Sequence, residues 1–216
     1  MSDASATRGT RDVRDRMSLH DALEPLHSAR GEGDVVISTM GAAREWMAMG
    51  AHPLDLIFVP SAMGHATSVG LGLALAQPDR RVIVCNGDGS MLMNLGSLVT
   101  ITAAAPTNLV ILVCDNGVYE VTGAQPTPGA ADARADGAGV DFAAIARACG
   151  FASVHRFADA ASWSRAVAQV LAAPGPTFVT LDVATVAGIP GPRSPGPAGE
   201  RAKSFMAALE GSPRAR

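Results

Sequence analysis

Residues 85–117 read CNGDGSMLMNLGSLVTITAAAPTNLVILVCDNG, and this stretch decides how the chain folds. Gly-Asp-Gly follows one apolar run and Asp-Asn-Gly follows a second, with enough sequence between them for a helix. That order predicts two parallel strands whose carboxyl ends present Asp88 and Asn116 at the same edge of a sheet. Carboxylate and amide oxygens are ligands of hard cations, so the pair predicts a Mg²⁺ site.

The residues around Asp88 suit an anion as well as a cation. Gly87 and Gly89 let the backbone turn tightly and come close to a bound group. A helix predicted to start near Ser90 would offer its free N–H groups and positive dipole end to phosphate oxygens. Gly, Asp and Asn are also common at ordinary turns between strands and helices, and that interpretation stays open on the residues alone.

Length and composition restrict the class of protein. The 216 residues fit one large α/β domain, and a formal net charge of −3 gives no electrostatic reason to expect a nucleic acid partner. The sequence contains no apolar run of membrane-spanning length and no secretory signal. Cys85, Cys114 and Cys149 lack metal-site spacing, which favours a reducing, cytoplasmic setting.

Apolar runs alternate with helix-like stretches along the chain, and the runs are nearly continuous in Val, Ile and Leu, as strands buried on both faces require. Strands are predicted at residues 34–38, 56–60, 81–86, 108–115, 152–157 and 176–183. Helices are predicted at residues 18–29, 41–49, 64–76, 97–105, 141–149, 159–172 and 200–209. The fold class is therefore α/β: a doubly wound, mainly parallel six-stranded sheet with helices on both faces.

Three segments carry further expectations. Residues 1–17 are polar and Arg-rich, which predicts a disordered tail before a single domain at 18–216. Residues 122–139 are rich in Pro, Gly and Ala, which predicts a loop or lid near the metal turn. In the helix predicted at 64–76, small residues recur every fourth position, so this face is expected to pack closely on the sheet or on a second helix. They are Gly64, Ser68, Gly72 and Ala76.

The Gly-Asp-Gly stretch resembles the thiamine diphosphate signature, in which Gly-Asp-Gly is followed further along the chain by Asn-Asn. Asp115 stands here in place of the first Asn. The resemblance implies a thiamine diphosphate-binding fold of the PP type, with thiamine diphosphate and Mg²⁺ as cofactors. In that family the metal ligands are the motif Asp, the second Asn and a carbonyl two residues later. This implies Asp88, Asn116 and the carbonyl of Val118.

The resemblance extends to the segment Ser-Ala-Met-Gly-His upstream. Met63 occupies the position of a bulky apolar residue that bends the cofactor in many decarboxylases of this kind, although simple packing under the next helix is an alternative. The carbonyl of Ser61 and the N–H of Met63 are implied for the aminopyrimidine ring. Ser38 and Thr39, at the end of the first strand, are candidate diphosphate donors. His65 is a candidate proton shuttle, with a purely structural role as the alternative.

Residues 115–127, DNGVYEVTGAQPT, are more specific than the metal motif. They resemble the stretch Asn-Gly-x-(His/Tyr)-x-x-Thr-Gly-Gly-Gln-Pro-Thr of phosphonopyruvate and sulfopyruvate decarboxylases, with Ala124 in place of the second Gly. This resemblance implies that Tyr119 lies beside the cofactor and that Gln125 is a second catalytic candidate. The chain most resembles the β subunits of sulfopyruvate decarboxylases, which implies conversion of 3-sulfopyruvate to sulfoacetaldehyde and CO₂.

The resemblance also implies a partner subunit. In these families a glutamate from a pyrimidine-binding domain activates the cofactor, whereas 216 residues hold only the diphosphate-binding domain. We therefore expect a pyrimidine-binding α subunit in an α₂β₂ or larger assembly, acting on a small anionic 2-oxo acid. The alternatives are a phosphonopyruvate decarboxylase subunit, a 2-oxo acid oxidoreductase or carboligase β subunit, and a non-catalytic cofactor-binding scaffold. The scattered cysteines count against the oxidoreductase.

Overall fold

The computed structural model describes residues 16–59, 63–135 and 137–211. In this part of the chain six parallel strands form one sheet in the order β2-β1-β3-β4-β8-β7, and β5 and β6 form a separate antiparallel pair. The strands are β1 (Val35–Thr39), β2 (Asp55–Phe58), β3 (Val82–Gly87), β4 (Leu109–Asp115), β5 (Val118–Tyr119), β6 (Gln125–Pro126), β7 (Ser153–Phe157) and β8 (Thr177–Asp182). The predicted six-stranded parallel α/β sheet is confirmed.

Helices cover both faces of the sheet, because the side chains of each buried strand point alternately to one face and the other. The helices are α1 (Leu19–Ala29), α2 (Met40–Met49), α3 (Ala66–Ala76), α4 (Asp88–Leu92), α5 (Ser97–Ala104), α6 (Phe142–Ala148), α7 (Ala160–Ala172) and α8 (Ala198–Gly211). Trp46 and Trp163 anchor the core under α1, α2 and α7. Phe178 belongs to the opposite core, under α3, α5, α6 and α8.

Local side chains fix where several helices begin. The hydroxyl of Ser18 accepts a hydrogen bond from the backbone N–H of Asp21 at 3.0 Å, at the start of α1. Asp141 caps α6 through the N–H of Ala144, and Asp159 caps α7. These N-caps satisfy N–H groups that the first turn of a helix leaves without a partner.

The small-residue face predicted for α3 does not pack on the sheet. The helix begins at Ala66, and Ser68, Gly72 and Ala76 are exposed. The close approach occurs at Gly70 instead, where a Cβ atom would lie 2.4 Å from Cγ2 of Val84. Because nearly every residue of this helix is small or apolar, periodicity alone could not distinguish its two sides.

The segment predicted as a loop or lid, residues 122–139, is more regular than expected. β6 folds back on β5, with Val118 opposite Pro126. The N–H of Thr127 donates to the carbonyl of Gly117 at 2.8 Å, which continues the contact beyond the pair. This segment therefore lies against the turn that follows β4, and Asp136 is outside the described residues.

The ends of the predicted elements also differ from the structure. Of the predicted tail, residues 1–15 lie outside the described residues, but Met17 is buried and forms a bridge with Val183. Strand β2 ends at Phe58, and the predicted end of this strand at Pro60 is outside the described residues. The domain boundaries therefore stay a prediction. No helix in the described ranges is both long and apolar enough to cross a bilayer.

Candidate active site

The sheet topology creates a crevice at the carboxyl ends of the central strands. From β1 the chain moves outward to β2, whereas from β3 it moves in the opposite direction to β4. The two connections leave the sheet on opposite sides, and the carboxyl ends of β1 and β3 border the gap between them. In open α/β sheets this switch point is where ligands bind.

A cleft with a volume of about 260 Å³ opens at this switch point. It is lined by Met40, Gly41, Met63, Gly87, Asp88, Gly89, Ser90, Met93, Val118, Tyr119, Glu120, Val121 and Thr122. Seven of the residues selected from the sequence are in this set, and they come from three separate stretches of chain. Its walls are largely apolar, with a few polar groups, which is the usual composition of a small-molecule site.

Asp88 is the buried charge of the cleft. Only 3% of this residue is exposed, and its Oδ2 atom accepts a hydrogen bond of 3.2 Å from Oγ1 of Thr127. Burial, and then the nearby charge of Asp115, raise the pKa of Asp88 from 3.8 to about 7. Among the described residues no cationic side chain compensates an ionised carboxylate in this position, so the site fits a bound metal ion.

Asn116 stands at the turn immediately after β4. Its Oδ1 atom accepts a hydrogen bond of 3.0 Å from the N–H of Val118, and its main-chain carbonyl accepts one of 3.1 Å from Thr185. The two contacts fix both the side chain and the backbone of the turn. Within the described residues no three His, Cys, Asp or Glu side chains form a metal-binding group. A cation here therefore needs the amide oxygen of Asn116 and main-chain carbonyls besides Asp88, a donor set that suits Mg²⁺.

Asp115 lies beside this turn and is paired in register with Asp182 of β8. Burial, and then the charge of Asp182, raise the pKa of Asp115 to about 6, while Arg16 and Arg156 act in the opposite direction. Arg156 also binds Asp182 directly, at 3.0 Å. The carboxyl ends of β3, β4 and β8 thus carry an excess of negative charge that favours a cation.

The two glycines of the motif differ in their surroundings: Gly89 is closely packed, and Gly87 faces open space. A Cβ atom on Gly89 would lie 2.5 Å from Cε1 of Tyr119, so this glycine allows β5 to approach α4. A Cβ atom on Gly87 would meet no atom within 4 Å, although Gly87 lines the cleft. The open side of Gly87 is therefore room for a ligand beside the backbone.

Comparisons with known proteins agree with this geometry. Residues 34–181 match the family profile described as thiamine pyrophosphate enzyme, C-terminal TPP binding domain. The chain belongs to this family. The family and the thiamine diphosphate cofactor predicted from the sequence are thereby confirmed, and the cleft lies at the switch point of the matched domain.

Two curated relatives are similar over most of the matched region. The sulfopyruvate decarboxylase subunit beta of Methanothermobacter thermautotrophicus is 43% identical over 166 residues, which cover 76% of this chain and 82% of the relative. The phosphonopyruvate decarboxylase of Streptomyces viridochromogenes is 44% identical over 163 residues. That match covers 75% of this chain but only 38% of the relative, so the chain corresponds to a part of the longer protein.

A solved structure supports the fold alone. The thiamine diphosphate-dependent 4-hydroxybenzoylformate decarboxylase of Rhodococcus jostii RHA1 superposes with a TM-score of 0.63 at 21% identity. The superposition covers 80% of this chain and 33% of that enzyme. At this level of identity the likeness extends to the doubly wound sheet and carries no information on substrate.

The thiamine diphosphate-binding domain does not bring every predicted residue into the cleft. Ser38 and Thr39 are buried at the end of β1, and Oγ1 of Thr39 donates to Oδ1 of Asn86 at 3.3 Å. The hydroxyl of Ser38 has no hydrogen-bond partner among the described residues. Ser61 lies outside the described residues. The diphosphate-donor role of Ser38 and Thr39 thus stays a prediction.

The two catalytic candidates lie outside the cleft lining. His65 is exposed, and its Nδ1 atom is 3.1 Å from the carbonyl of Met63. The side-chain amide of Gln125 is held within its own turn, with Nε2 2.9 Å from the carbonyl of Thr122. The catalytic roles of His65 and Gln125 stay predictions.

The sequence analysis missed several residues that shape the cleft. Thr127 binds Asp88, and its position at the end of the Gln-Pro-Thr motif could have indicated it. Glu120 lines the cleft and pairs with Arg44 at 3.5 Å, and its Oε1 atom accepts a bond from the N–H of Val186. These partners are distant along the chain, and no local pattern joins them.

Proposed function

We propose that this chain is the diphosphate-binding subunit of a thiamine diphosphate- and Mg²⁺-dependent 2-oxo acid decarboxylase. The proposed reaction converts 3-sulfopyruvate to sulfoacetaldehyde and CO₂. The observation that carries this proposal is the 43% identity to a sulfopyruvate decarboxylase subunit beta over 82% of that subunit. The cleft at the switch point, with its buried Asp88, supports it independently.

The proposal assigns the metal and the diphosphate of the cofactor to residues of this chain. Asp88, Asn116 and the carbonyl of Val118 would hold Mg²⁺, and the open side of Gly87 would admit the diphosphate beside the backbone. When bound, the cofactor supplies the electron sink for the carbon–carbon bond whose cleavage releases CO₂. The role of this chain is to bind and orient that cofactor.

Three methionines form the apolar wall of the cleft: Met40, Met63 and Met93. Met63 follows β2 and is held near α4, because the N–H of Gly64 donates to Oγ of Ser90 at 3.0 Å. Flexible, polarisable side chains of this kind fit closely around an aromatic ring system and exclude water. We assign Met63 to the support of the bent cofactor on this basis.

No carboxylate among the described residues that line the cleft is free to activate the cofactor. Asp88 and Glu120 are the two carboxylates that line it within the described residues. Asp88 is assigned to the metal, and Glu120 is engaged by Arg44 and by the N–H of Val186. An activating glutamate therefore comes from a pyrimidine-binding partner subunit, which agrees with the subunit name of the sulfopyruvate relative.

The substrate anion requires a cation, and the described residues place none in the cleft lining. Neither lysine nor arginine lines it in the described ranges. We therefore assign recognition of the sulfonate to the partner as well. Phosphonopyruvate decarboxylase is the second candidate, because the Streptomyces enzyme is 44% identical over the matched region.

An assay with both substrates tests this proposal. The chain is incubated with thiamine diphosphate, Mg²⁺ and either 3-sulfopyruvate or phosphonopyruvate, alone and after co-expression with a pyrimidine-binding subunit. We expect aldehyde only from the co-expressed sample and faster with sulfopyruvate. Faster turnover of phosphonopyruvate would favour the second candidate. Equal activity from the chain alone would contradict the assignment of the glutamate to a partner.

A further inference from the structure

The chain continues past the matched family domain and returns to the cleft. The family match ends at residue 181, and residues 184–201 then run from the end of β8 to the first turn of α8. We call residues 184–201 the strap. It has almost no regular structure before α8, yet it makes specific hydrogen bonds to the cleft wall at Glu120 and to the carboxyl end of β2.

The first part of the strap is bonded to the wall formed by α2 and residues 118–122. The N–H of Val186 donates to Oε1 of Glu120 at 3.0 Å, and Nη1 of Arg44 donates to the carbonyl of Pro190 at 3.2 Å. The backbone at Gly191 is so close to Val121 that a Cβ atom there would lie 2.6 Å from its Cγ1 atom. The strap is thus packed against cleft-lining residues at this end.

The second part of the strap is bonded to the end of the edge strand β2. Nη1 of Arg201 donates to the carbonyl of Ile57 at 2.5 Å, and Nη2 donates to the carbonyl of Val59. Nε of the same guanidinium donates to the carbonyl of Gly196 at 3.1 Å, a contact within the strap. A planar guanidinium with several donors fixes three carbonyls at once in a way that a single ammonium group does not.

These bonds hold the carboxyl end of β2, shortly before Met63 in the sequence. Beyond Met63 the path is fixed by Gly64, whose N–H binds Ser90 and whose carbonyl accepts a bond of 2.7 Å from Asn94. On the side of β2, pairing with β1 extends to Phe58. The strap adds the bonds from Arg201 and a weak bond of 3.5 Å from Ser194 to the carbonyl of Val59. The chain is thus bonded to α4 at Gly64, directly after Met63, and to the strap at Val59, shortly before it.

We propose that Arg201 is a positioning residue for Met63: it holds the carboxyl end of β2 so that Met63 supports the bound cofactor. This inference rests on the proposed function, because it takes the cleft as the thiamine diphosphate site. It assigns to the C-terminal helix a part in cofactor binding that lies outside the matched family domain.

Calorimetric titration of the full-length chain with thiamine diphosphate, at saturating Mg²⁺, tests the proposal. We expect Arg201→Gln to raise the Kd for thiamine diphosphate about 10-fold, as the loss of an outer supporting contact typically does. Arg201→Lys should recover part of the affinity. Lys203→Gln is the matched control, since Lys203 is exposed on the same helix, and it should leave the Kd unchanged.

Amide hydrogen exchange supplies a readout that does not depend on catalysis. Arg201→Gln should accelerate exchange at Val59 and Met63 while Ser90 and α5 keep the wild-type rates. A lower unfolding temperature with a wild-type Kd in the folded protein would overturn the proposal. If Arg201→Gln does not fold, the same measurements are made on Arg201→Lys. A wild-type Kd and wild-type exchange rates in that variant would also overturn the proposal. If the wild-type chain binds no thiamine diphosphate, the proposed function fails, whereas exchange at Met63 still tests Arg201.

Discussion

At the scale of single residues, Asp88 combines a structural cost with a ligand-binding role. A carboxylate that is only 3% exposed loses its hydration, and one hydroxyl from Thr127 replaces little of it. A bound cation would remove this cost. Without the metal ion, Asp88 is therefore expected to destabilise the folded chain. Its identity could be predicted from the Gly-Asp-Gly motif, but its burial and its bond to Thr127 could not.

Replacing Asp88 by Asn should stabilise the metal-free chain above neutral pH and abolish Mg²⁺-dependent cofactor binding. The folded pKa of Asp88 is raised from 3.8 to about 7. Its stabilising contribution is thus fully present below 3.8 and is lost as the pH rises through about 7. The loss is on the order of 4 kcal/mol, and the neutral amide does not suffer it. Urea unfolding at pH 5 and pH 8 in the presence of a chelator measures the difference.

Asp132→Asn is the control for this experiment, because it makes the same chemical change at an exposed position away from Asp88. It should leave the pH dependence of the wild-type chain unchanged. Stability of the Asp88→Asn variant that falls with pH as steeply as that of the wild type would show that Asp88 does not carry the effect.

Thr127→Val should weaken Mg²⁺ and thiamine diphosphate binding at pH 7 while preserving the fold. Valine has nearly the same shape as threonine but removes the hydrogen bond to Asp88, so the pKa of Asp88 rises further and less of it is ionised. We expect about a 10-fold loss of affinity, the value of one hydrogen bond to a charged group. Thr127→Ser keeps the donor and serves as the comparison in the same titration. Equal affinities for the Val and Ser variants would contradict the assignment.

At the scale of elements, the two motif glycines have different roles: Gly89 allows close packing, and Gly87 leaves space for a ligand. Gly89→Ala should destabilise the chain by about 1–3 kcal/mol, because its Cβ atom would collide with Tyr119 and push β5 from α4. Gly87→Ala should leave stability within about 1 kcal/mol of the wild type, since its φ of −97° suits alanine and the space is open. Thermal unfolding measures both.

Cofactor titration of the Gly87→Ala variant completes this comparison. Because the open space at Gly87 belongs to the cleft, its methyl group should reduce the affinity for thiamine diphosphate although the protein remains folded. Undiminished binding by Gly87→Ala would mean that the diphosphate lies elsewhere.

The elements that the sequence predicts well are those with a single strong signal. The central strands are continuous apolar runs such as 109–113, and burial on both faces leaves few other structures for them. The pair β5–β6 escaped prediction because its two-residue strands lie among Gly and Pro. The orientation of α3 could not be predicted because small residues lie on both sides of this helix. The contact with Val84 shows that Gly70 faces the sheet.

At the scale of the whole molecule, the position of the cleft follows from strand order, which the sequence does not reveal. Local patterns placed Asp88 and Asn116 after two strands, and the order β1-β3-β4 brings those strands together. The strap bonds to Glu120 in the cleft wall and, through Arg201, to the end of β2, across long separations in sequence. Such contacts depend on the path of the whole chain.

Binding of thiamine diphosphate with Mg²⁺ should stabilise the full chain. A ligand at 100 times its Kd adds about 2.7 kcal/mol, which for a protein of this size corresponds to a rise of about 5–10 °C in Tm. Chelation of the metal should reverse most of the shift, since the diphosphate is then left beside the negative charges of Asp88 and Asp115. Differential scanning calorimetry measures Tm with and without thiamine diphosphate, first in Mg²⁺ and then in chelator. A rise in Tm that persists in chelator would contradict this prediction.

The most direct test of the metal assignment is anomalous X-ray diffraction from crystals of the full chain grown with thiamine diphosphate and Mn²⁺ in place of Mg²⁺. Data collected at the manganese absorption edge locate the ion without reference to the protein coordinates. We predict one strong peak within coordination distance of a carboxylate oxygen of Asp88, Oδ1 of Asn116 and the carbonyl of Val118. A metal peak away from Asp88, or a cofactor bound with no peak in the cleft, would contradict the account.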